Sequence, residues 1–243
     1  MASDEIQNRP KAQEIEEWIQ MWKEGGHPAF HLPKVYSSLQ SHIYDLTGGK
    51  AKWRVFVPLC GKSLDMIWLA DQGHTVVGLE ISQTGIKDFF KENNLDFTIA
   101  AINMAPSGAY IFKAKAKDIT IFQCDIFDFR SDVAGGKFDS IWDRGSLTSM
   151  AFTGEATIKN YVEVVSKMLA DNGRWMIETF DYDETTKREG SHAFISDKMI
   201  HRLFENKFVV RDLEKTKYAA NEGFHQLETA YWVYLYLVMF KHS

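Results

Sequence analysis

Val55-Phe56-Val57-Pro58-Leu59-Cys60-Gly61-Lys62-Ser63 is the stretch whose reading decides the fold. Arg54–Val57 reads as a short strand, and Ser63–Gln72 as a helix that is apolar on several sides, joined to it by a tight turn. The same rhythm then repeats. Thr75–Leu79 reads as a strand, and Ser82 caps a helix reaching Asn94. Ile119–Cys124 and Phe138–Trp142 are further short strands. Glu155–Ala170 sets Ile158, Tyr161, Val162, Val165 and Leu169 on one helical face, and Asp171-Asn172-Gly173 stops it. Arg174–Thr179 reads as a strand, Ser196–Glu205 as a helix, and Phe208–Glu214 and Tyr231–Val238 as closing strands. Alternation at this spacing predicts an α/β fold, a doubly wound and mainly parallel sheet with helices on both faces. The two late strands predict an antiparallel edge. Residues 95–118, with Pro106-Ser107-Gly108, read as an inserted hairpin.

Upstream of the deciding turn the pattern is helical. Residues 1–13 are expected to be unstructured. Ile15, Trp18, Ile19 and Trp22 form one stripe of a helix ended by Gly25-Gly26. Pro28 and Pro33 bracket the loop Ala29-Phe30-His31, and a second amphipathic stretch turns Val35, Leu39, Ile43 and Leu46 inward before Gly48-Gly49. The expected organisation is one domain, residues 14–243, with a helical preface over 14–50 and a core over 51–243.

The composition is that of an ordinary globular domain: 243 residues, 45% hydrophobic and 25% charged. The aromatic share of 14% fills a core and leaves rings for a pocket wall. Net charge is -5, and the densest basic run, Lys113, Lys115 and Lys117, alternates with alanine as a solvated edge does. Nucleic acid is therefore not an expected partner. Cys60 and Cys124 are the only cysteines and form no zinc-ligand pattern, so no metal is expected. The apolar run Tyr231–Phe240 is too short to span a bilayer. A soluble, cytoplasmic monomer without membrane contact is expected.

The first turn carries Gly-Lys-Ser but is no phosphate-binding P-loop, because Phe56 stands where that loop needs its first glycine. A Gly-x-Gly-x-x-Gly dinucleotide fingerprint is missing too, as only Gly61 is present. A tight turn at the carboxyl edge of the first strand remains, suited to a phosphate-free nucleoside. Glu80 ends the second strand, where a carboxylate can accept both hydroxyls of a ribose; the plainer reading is a solvated strand end. Asp125, before Ile126, can accept from an adenine amine while the next amide donates to the ring, or can simply cap a turn. Arg144 ends the fourth strand, able to hold a carboxylate, or to pair with Asp143 at the surface.

With these strings in order, the chain resembles the thiopurine S-methyltransferase family over nearly its whole length. The resemblance rests on Glu16-Glu17-Trp18 with Trp22 and Ala29-Phe30-His31, on residues 55–62, on Asp71-Gln72-Gly73-His74 followed by Val76-Val77-Gly78-Leu79-Glu80, and on Phe138-Asp139 through Ile141-Trp142-Asp143-Arg144-Gly145-Ser146-Leu147. It implies a seven-stranded, Rossmann-like class I methyltransferase with S-adenosyl-L-methionine as donor. It further implies that Trp18, Trp22 and Phe30 form a lid over cofactor and acceptor. Leu59 and Gly61 are then beside the methionine portion, Glu80 on the ribose, Asp125 and Ile126 at the adenine, and Arg144 between the methionine carboxylate and the acceptor. Near Ala220-Asn221-Glu222-Gly223 the pattern departs: no arginine stands where the vertebrate enzymes carry a basic residue facing the acceptor.

The reaction this implies is displacement from a sulfonium by a small soft nucleophile, foremost the thiol of an aromatic or heterocyclic compound. Halide, sulfide or selenium acceptors are alternatives, as is a non-catalytic cofactor-binding protein. Asp143 either assists deprotonation or orients Arg144, and His31 is a second candidate acid or base in the acceptor site, with Phe30 beside it.

Overall fold

Strand β1 (Arg54–Val57) runs through the middle of the sheet, paired in parallel with β2 (Thr75–Glu80) on one side and β6 (Phe138–Arg144) on the other. Its hydrophobic residues Val55, Phe56 and Val57 are all buried, as a strand covered on both faces requires. The computed structural model describes residues 9–24, 31–103, 109–182, 194–220, 222 and 230–241. With β3 (Phe97–Ile102), β4 (Ala109–Ala114), β5 (Ile119–Gln123), β7 (Leu169–Tyr182), β8 (Phe208–Tyr218) and β9 (Tyr231–Phe240), the strand order is β3-β4-β5-β2-β1-β6-β7-β9-β8.

The five central strands, β5 through β7, are parallel, and the chain reverses its winding direction between β1 and β6. Open sheets of this kind form their crevice at that reversal, beyond the carboxyl ends of the strands. The expected antiparallel edge is present, with β9 running against both β7 and β8. The sheet has nine strands rather than seven. The hairpin expected as a free insertion over 95–118 forms β3 and β4, and β4 pairs antiparallel with β5, so it extends the sheet. Residues 104–108, including Pro106-Ser107-Gly108, lie outside the described residues.

Helices cover both faces. On one lie α2 (Ser37–Ser41), α3 (Ile43–Thr47), α4 (Asp65–Asp71) and α5 (Gln83–Glu92), packing Leu39, Leu46, Met66, Leu69, Ile86, Phe89 and Phe90 with Val55, Val57, Trp142 and Met176. On the other, α7 (Glu155–Met168) and α8 (Asp197–Phe204) pack Ile158, Tyr161, Val165, Ile200 and Phe204 with Phe56, Ile141, Trp175 and Ile177. Each of these large side chains, fully buried, contributes roughly 1.5–3 kcal/mol. Ser82 caps α5 as expected, accepting from the Gly85 amide at 3.2 Å, and Ser196 caps α8 through Met199 N at 3.3 Å.

Three boundaries differ from the sequence expectation for identifiable reasons. The stretch carrying Leu39 and Leu46 is two short helices broken at His42, not one. The turn expected at Asp171-Asn172-Gly173 is an irregularity inside β7: Phe138 pairs with Leu169 and Ser140 with Arg174, so residues 170–173 swing out opposite a single residue. The unstructured segment expected over 1–13 ends sooner. Arg9 donates to Asp128 Oδ1 (2.7 Å) and to the Phe127 carbonyl (2.8 Å), and α1 (Ala12–Lys23) begins at Ala12; residues 1–8 lie outside the described residues. Helix α1 turns its stripe inward, with Trp22 buried and Ile15, Trp18 and Ile19 half-buried. Among the described residues no helix is long and apolar enough to cross a membrane.

Candidate active site

The turn after β1 is held by its own backbone and by the end of β2. Leu59 and Gly61 both take left-handed conformations (φ 42° and 49°), and Cys60 N donates to the Leu79 carbonyl at 2.8 Å. A non-glycine residue with positive φ is uncommon and concentrates where a backbone must be aimed. Gly61 also has to be small: a Cβ there would meet the Trp22 ring at 3.0 Å. A Cβ at Gly85, in the first turn of α5, would meet the same ring at 3.1 Å, so two glycines from different elements make the seat that α1 presses its indole into.

Above the turn lies a cavity of about 390 Å³, the size range of a small-molecule site. Its floor is built from the carboxyl ends of all five parallel strands: Leu59 and Gly61 after β1, Glu80 at β2, Asp125 and Ile126 after β5, Arg144 at β6, and Phe180 in β7. Since neighbouring strands are spaced about 4.8 Å apart, the row from Asp125 to Phe180 extends over about 19 Å. Trp18 and Trp22 of α1 form the roof, and Trp18 meets Phe152 edge-on at 6.5 Å. A smaller cleft beside it is lined by Trp22, His31, Leu59, Gly61, Trp142 and Arg144. The structure thus brings together Trp18, Trp22, Leu59, Gly61, Glu80, Asp125, Ile126 and Arg144, and sets His31 beside them. Phe30 lies outside the described residues.

Each polar group along the row is fixed. Glu80 is buried, and its two carboxylate oxygens accept from Gly61 N (3.0 Å) and Ser82 N (2.8 Å). Burial pushes its pKa up while those amides pull it down. Asp125 accepts from Phe127 N at 2.9 Å, and burial raises its pKa as well. Burial likewise pushes both cysteine thiols up, Cys60 strongly and Cys124 to about 12.

Asp143 is not in the site. It neighbours Arg144 in sequence, but successive strand residues leave opposite faces of a sheet. Its fully buried carboxylate lies under α7, accepting from Tyr161 Oη (2.7 Å) and from Leu147 N (3.1 Å). Neither deprotonation of an acceptor nor orientation of Arg144 fits that position. The carboxylate near Arg144 is instead Asp65, whose Oδ2 is 3.9 Å from Arg144 Nε. Nor do Asp143 and Arg144 form a surface pair.

With this cleft in view, the chain matches the family model for Thiopurine S-methyltransferase (TPMT) over residues 13–233. The chain belongs to the thiopurine S-methyltransferase family. It is 36% identical over 214 residues to the thiopurine S-methyltransferase of Equus caballus, covering 88% of this chain and 84% of that one. With the enzyme of Oryctolagus cuniculus the figure is 38% over 202 residues, covering 83% and 79%. Among solved structures the fold is similar to 1,6-didemethyltoxoflavin-N1-methyltransferase of Burkholderia thailandensis, with TM-score 0.58 and 12% identity over 92% of this chain and 86% of that one. It is also similar to N-methyltransferase NodS of Bradyrhizobium japonicum, with TM-score 0.54 and 14% identity over 82% and 85%. Both of those structures hold S-adenosylhomocysteine.

As a member of this family the chain is an S-adenosylmethionine-dependent methyltransferase, and its cleft fits that cofactor. The two-amide grip on Glu80 leaves further lone pairs on a carboxylate that lines the cavity. Thr148 Oγ1, in the same wall, is buried without a hydrogen-bond partner among the described residues, as a group made for a ligand is. Thr148 belongs to α6 (Ser146–Met150), which sequence reading missed along with Ser146, Met150, Phe152 and Phe180. A helix of five residues is too short for periodicity to reveal. Only the Asp143-Arg144-Gly145-Ser146 string pointed there. Ser146 Oγ donates to the Pro58 carbonyl at 2.7 Å and so ties α6 to the deciding turn.

The relocated Asp143 makes its own prediction. Burial raises its pKa to about 6, against the hydrogen bonds from Tyr161 and Leu147. A carboxyl raised above its unfolded pKa contributes stability that is complete below about pH 4 and is lost as pH rises through about 6. Asp143→Asn, which keeps an acceptor for Tyr161, should gain stability relative to wild type by roughly 2–3 kcal/mol between pH 4.5 and 7.5. Urea denaturation of both proteins at the two pH values measures it.

Proposed function

We propose that the enzyme methylates the thiol of a small aromatic or heterocyclic compound, with the donor lying along the cleft from Asp125 to Arg144. The observation that carries this reading is the order of groups on neighbouring strands: an acid at β5, an acid at β2, a bare turn at β1 and a guanidinium at β6. Asp125 would accept from the adenine amine while the Ile126 amide donates to the ring. Glu80 would accept the two ribose hydroxyls on the lone pairs its backbone amides leave. Leu59 and Gly61 lie beside the methionine portion, and Arg144 holds its carboxylate or the acceptor.

S-Adenosylmethionine supplies an electrophilic methyl group on a sulfonium. The chain's own residues hold the acceptor in line with it, an arrangement that contributes roughly 7–11 kcal/mol where reacting atoms are at near-attack distance. Trp18 and Trp22 exclude water from above, and His31 borders the acceptor end. The thiopurine enzymes of horse and rabbit, at 36% and 38% identity, support a thiol acceptor. The net charge of -5 argues against nucleic acid as a partner.

A transfer assay with labelled methyl donor and a panel of thiophenols, thiopurines, iodide and hydrosulfide tests this. Turnover should appear with an aromatic or heterocyclic thiol. Transfer only to iodide, to hydrosulfide or to nothing would overturn the thiol reading.

A further inference from the structure

Helix α1 and the residues leading into it roof the cavity, and this roof is tied down near both of its ends. Close to the carboxyl end, Trp22 sits in the seat made by Gly61 and Gly85. The second tie lies ahead of the helix. Arg9 reaches the turn after β5 with both prongs of its guanidinium: Nη1 donates to Asp128 Oδ1 at 2.7 Å and Nη2 to the Phe127 carbonyl at 2.8 Å. The guanidinium carbon also stands 5.5 Å from the centre of the Phe127 ring. This is the turn that carries Asp125. Phe127 N donates to the Asp125 carboxylate at 2.9 Å, and Asp128 N to the Asp125 carbonyl at 3.1 Å. Asp125 and Phe127 line the cavity, as does Pro10, the residue that follows Arg9.

The two ties differ in kind. Trp22 is buried, an apolar anchor whose release would expose a whole indole to water. The side chains of Arg9 and Asp128 are 30% and 15% exposed, and a charge-assisted bond at the rim gives way to water more easily. Between the ties, Lys11 N bonds to Glu14 and Gln13 to Glu17, both within the segment itself. A molecule lying under α1, a helix about 18 Å long, leaves when one end of the roof lifts. The Arg9 end is the weaker, and lifting it uncovers Asp125 first. Arg9 also acts on that acid by charge: burial raises the Asp125 pKa, the Phe127 amide lowers it, and Arg9 offsets Asp128.

We propose that Arg9 is the latch of the lid, a positioning residue whose grip on Asp128 and the Phe127 carbonyl sets how fast the donor enters and its demethylated product leaves. This rests on the reading that lays the donor along the cleft with its adenine at Asp125, and it adds the residue that gates that cleft. Arg9 bonds to the protein and not to the ligand, so it holds back entry and exit alike. Removing a latch speeds both, whereas removing a contact to the ligand speeds exit alone.

Stopped-flow mixing of the full chain with S-adenosylhomocysteine, followed by tryptophan emission, measures both rate constants. Arg9→Gln should raise each by about tenfold, the scale of one charged hydrogen bond, while the dissociation constant moves by less than about threefold. Asp128→Asn should do the same. The double variant should be no faster than the faster single variant, because both substitutions break one bond. Wild-type rate constants in Arg9→Gln would overturn the latch. So would faster exit with unchanged entry, or single effects that multiply in the double variant. Glu80→Ala keeps the two readings apart: unchanged affinity there refutes the placement of the donor, while weakened affinity there with wild-type rates in Arg9→Gln refutes the latch alone.

Discussion

Glu80→Ala is expected to raise the dissociation constant for S-adenosylmethionine by about 100-fold or more. Hydrogen bonds to a charged group contribute about 1.5–3 kcal/mol each, and the carboxylate is positioned to make two to a ribose. Part of the loss arises in the protein itself. The Gly61 and Ser82 amides are bonded to this carboxylate, and removing it leaves two buried donors without a partner beside the deciding turn. Thermal stability should therefore fall along with affinity. Glu80→Gln separates the two effects, since its carbonyl oxygen can keep one amide satisfied while the charge is lost. Titration calorimetry with thermal denaturation reads both; an unchanged dissociation constant in Glu80→Ala would remove the residue from the cofactor site.

Arg144→Ala should lower kcat/KM by about 100- to 1,000-fold, the range seen when one placed donor is removed from a developing charge. It also strips the cation from Asp65, and an uncompensated buried acid is strongly destabilising. Arg144→Lys distinguishes the roles. It keeps a charge beside Asp65, so the fold should survive, but it cannot supply the planar two-pronged contact, so turnover should stay low. Near-normal turnover in Arg144→Lys would mean that Arg144 acts as a point charge only.

What could be read from the sequence follows the physics of its signals. The turn at 58–63, Glu80, Asp125 and Arg144 were legible because each is a polar residue at the end of an apolar strand, a local pattern. Asp143 was misassigned because adjacency in sequence was taken for adjacency in space, although the period of a strand sends it to the opposite face, under Tyr161. The placement of Asp65 beside Arg144 was beyond reach, since it depends on how α4 meets β6. The seat of Trp22 on Gly61 and Gly85 likewise exists only after α1 and α5 have packed. The hairpin over 95–118 was visible as a hairpin, but its pairing with β5 is a sheet-edge contact that local sequence does not encode.

The most direct test of the account is a crystal structure of the protein with S-adenosylhomocysteine. The account predicts adenine beside Asp125 and Ile126, both ribose hydroxyls on Glu80, the thioether over Leu59 and Gly61 beneath Trp22, and the homocysteine end toward Arg144. A nucleoside bound elsewhere, or one lying in this cleft with its ribose away from Glu80, would contradict it.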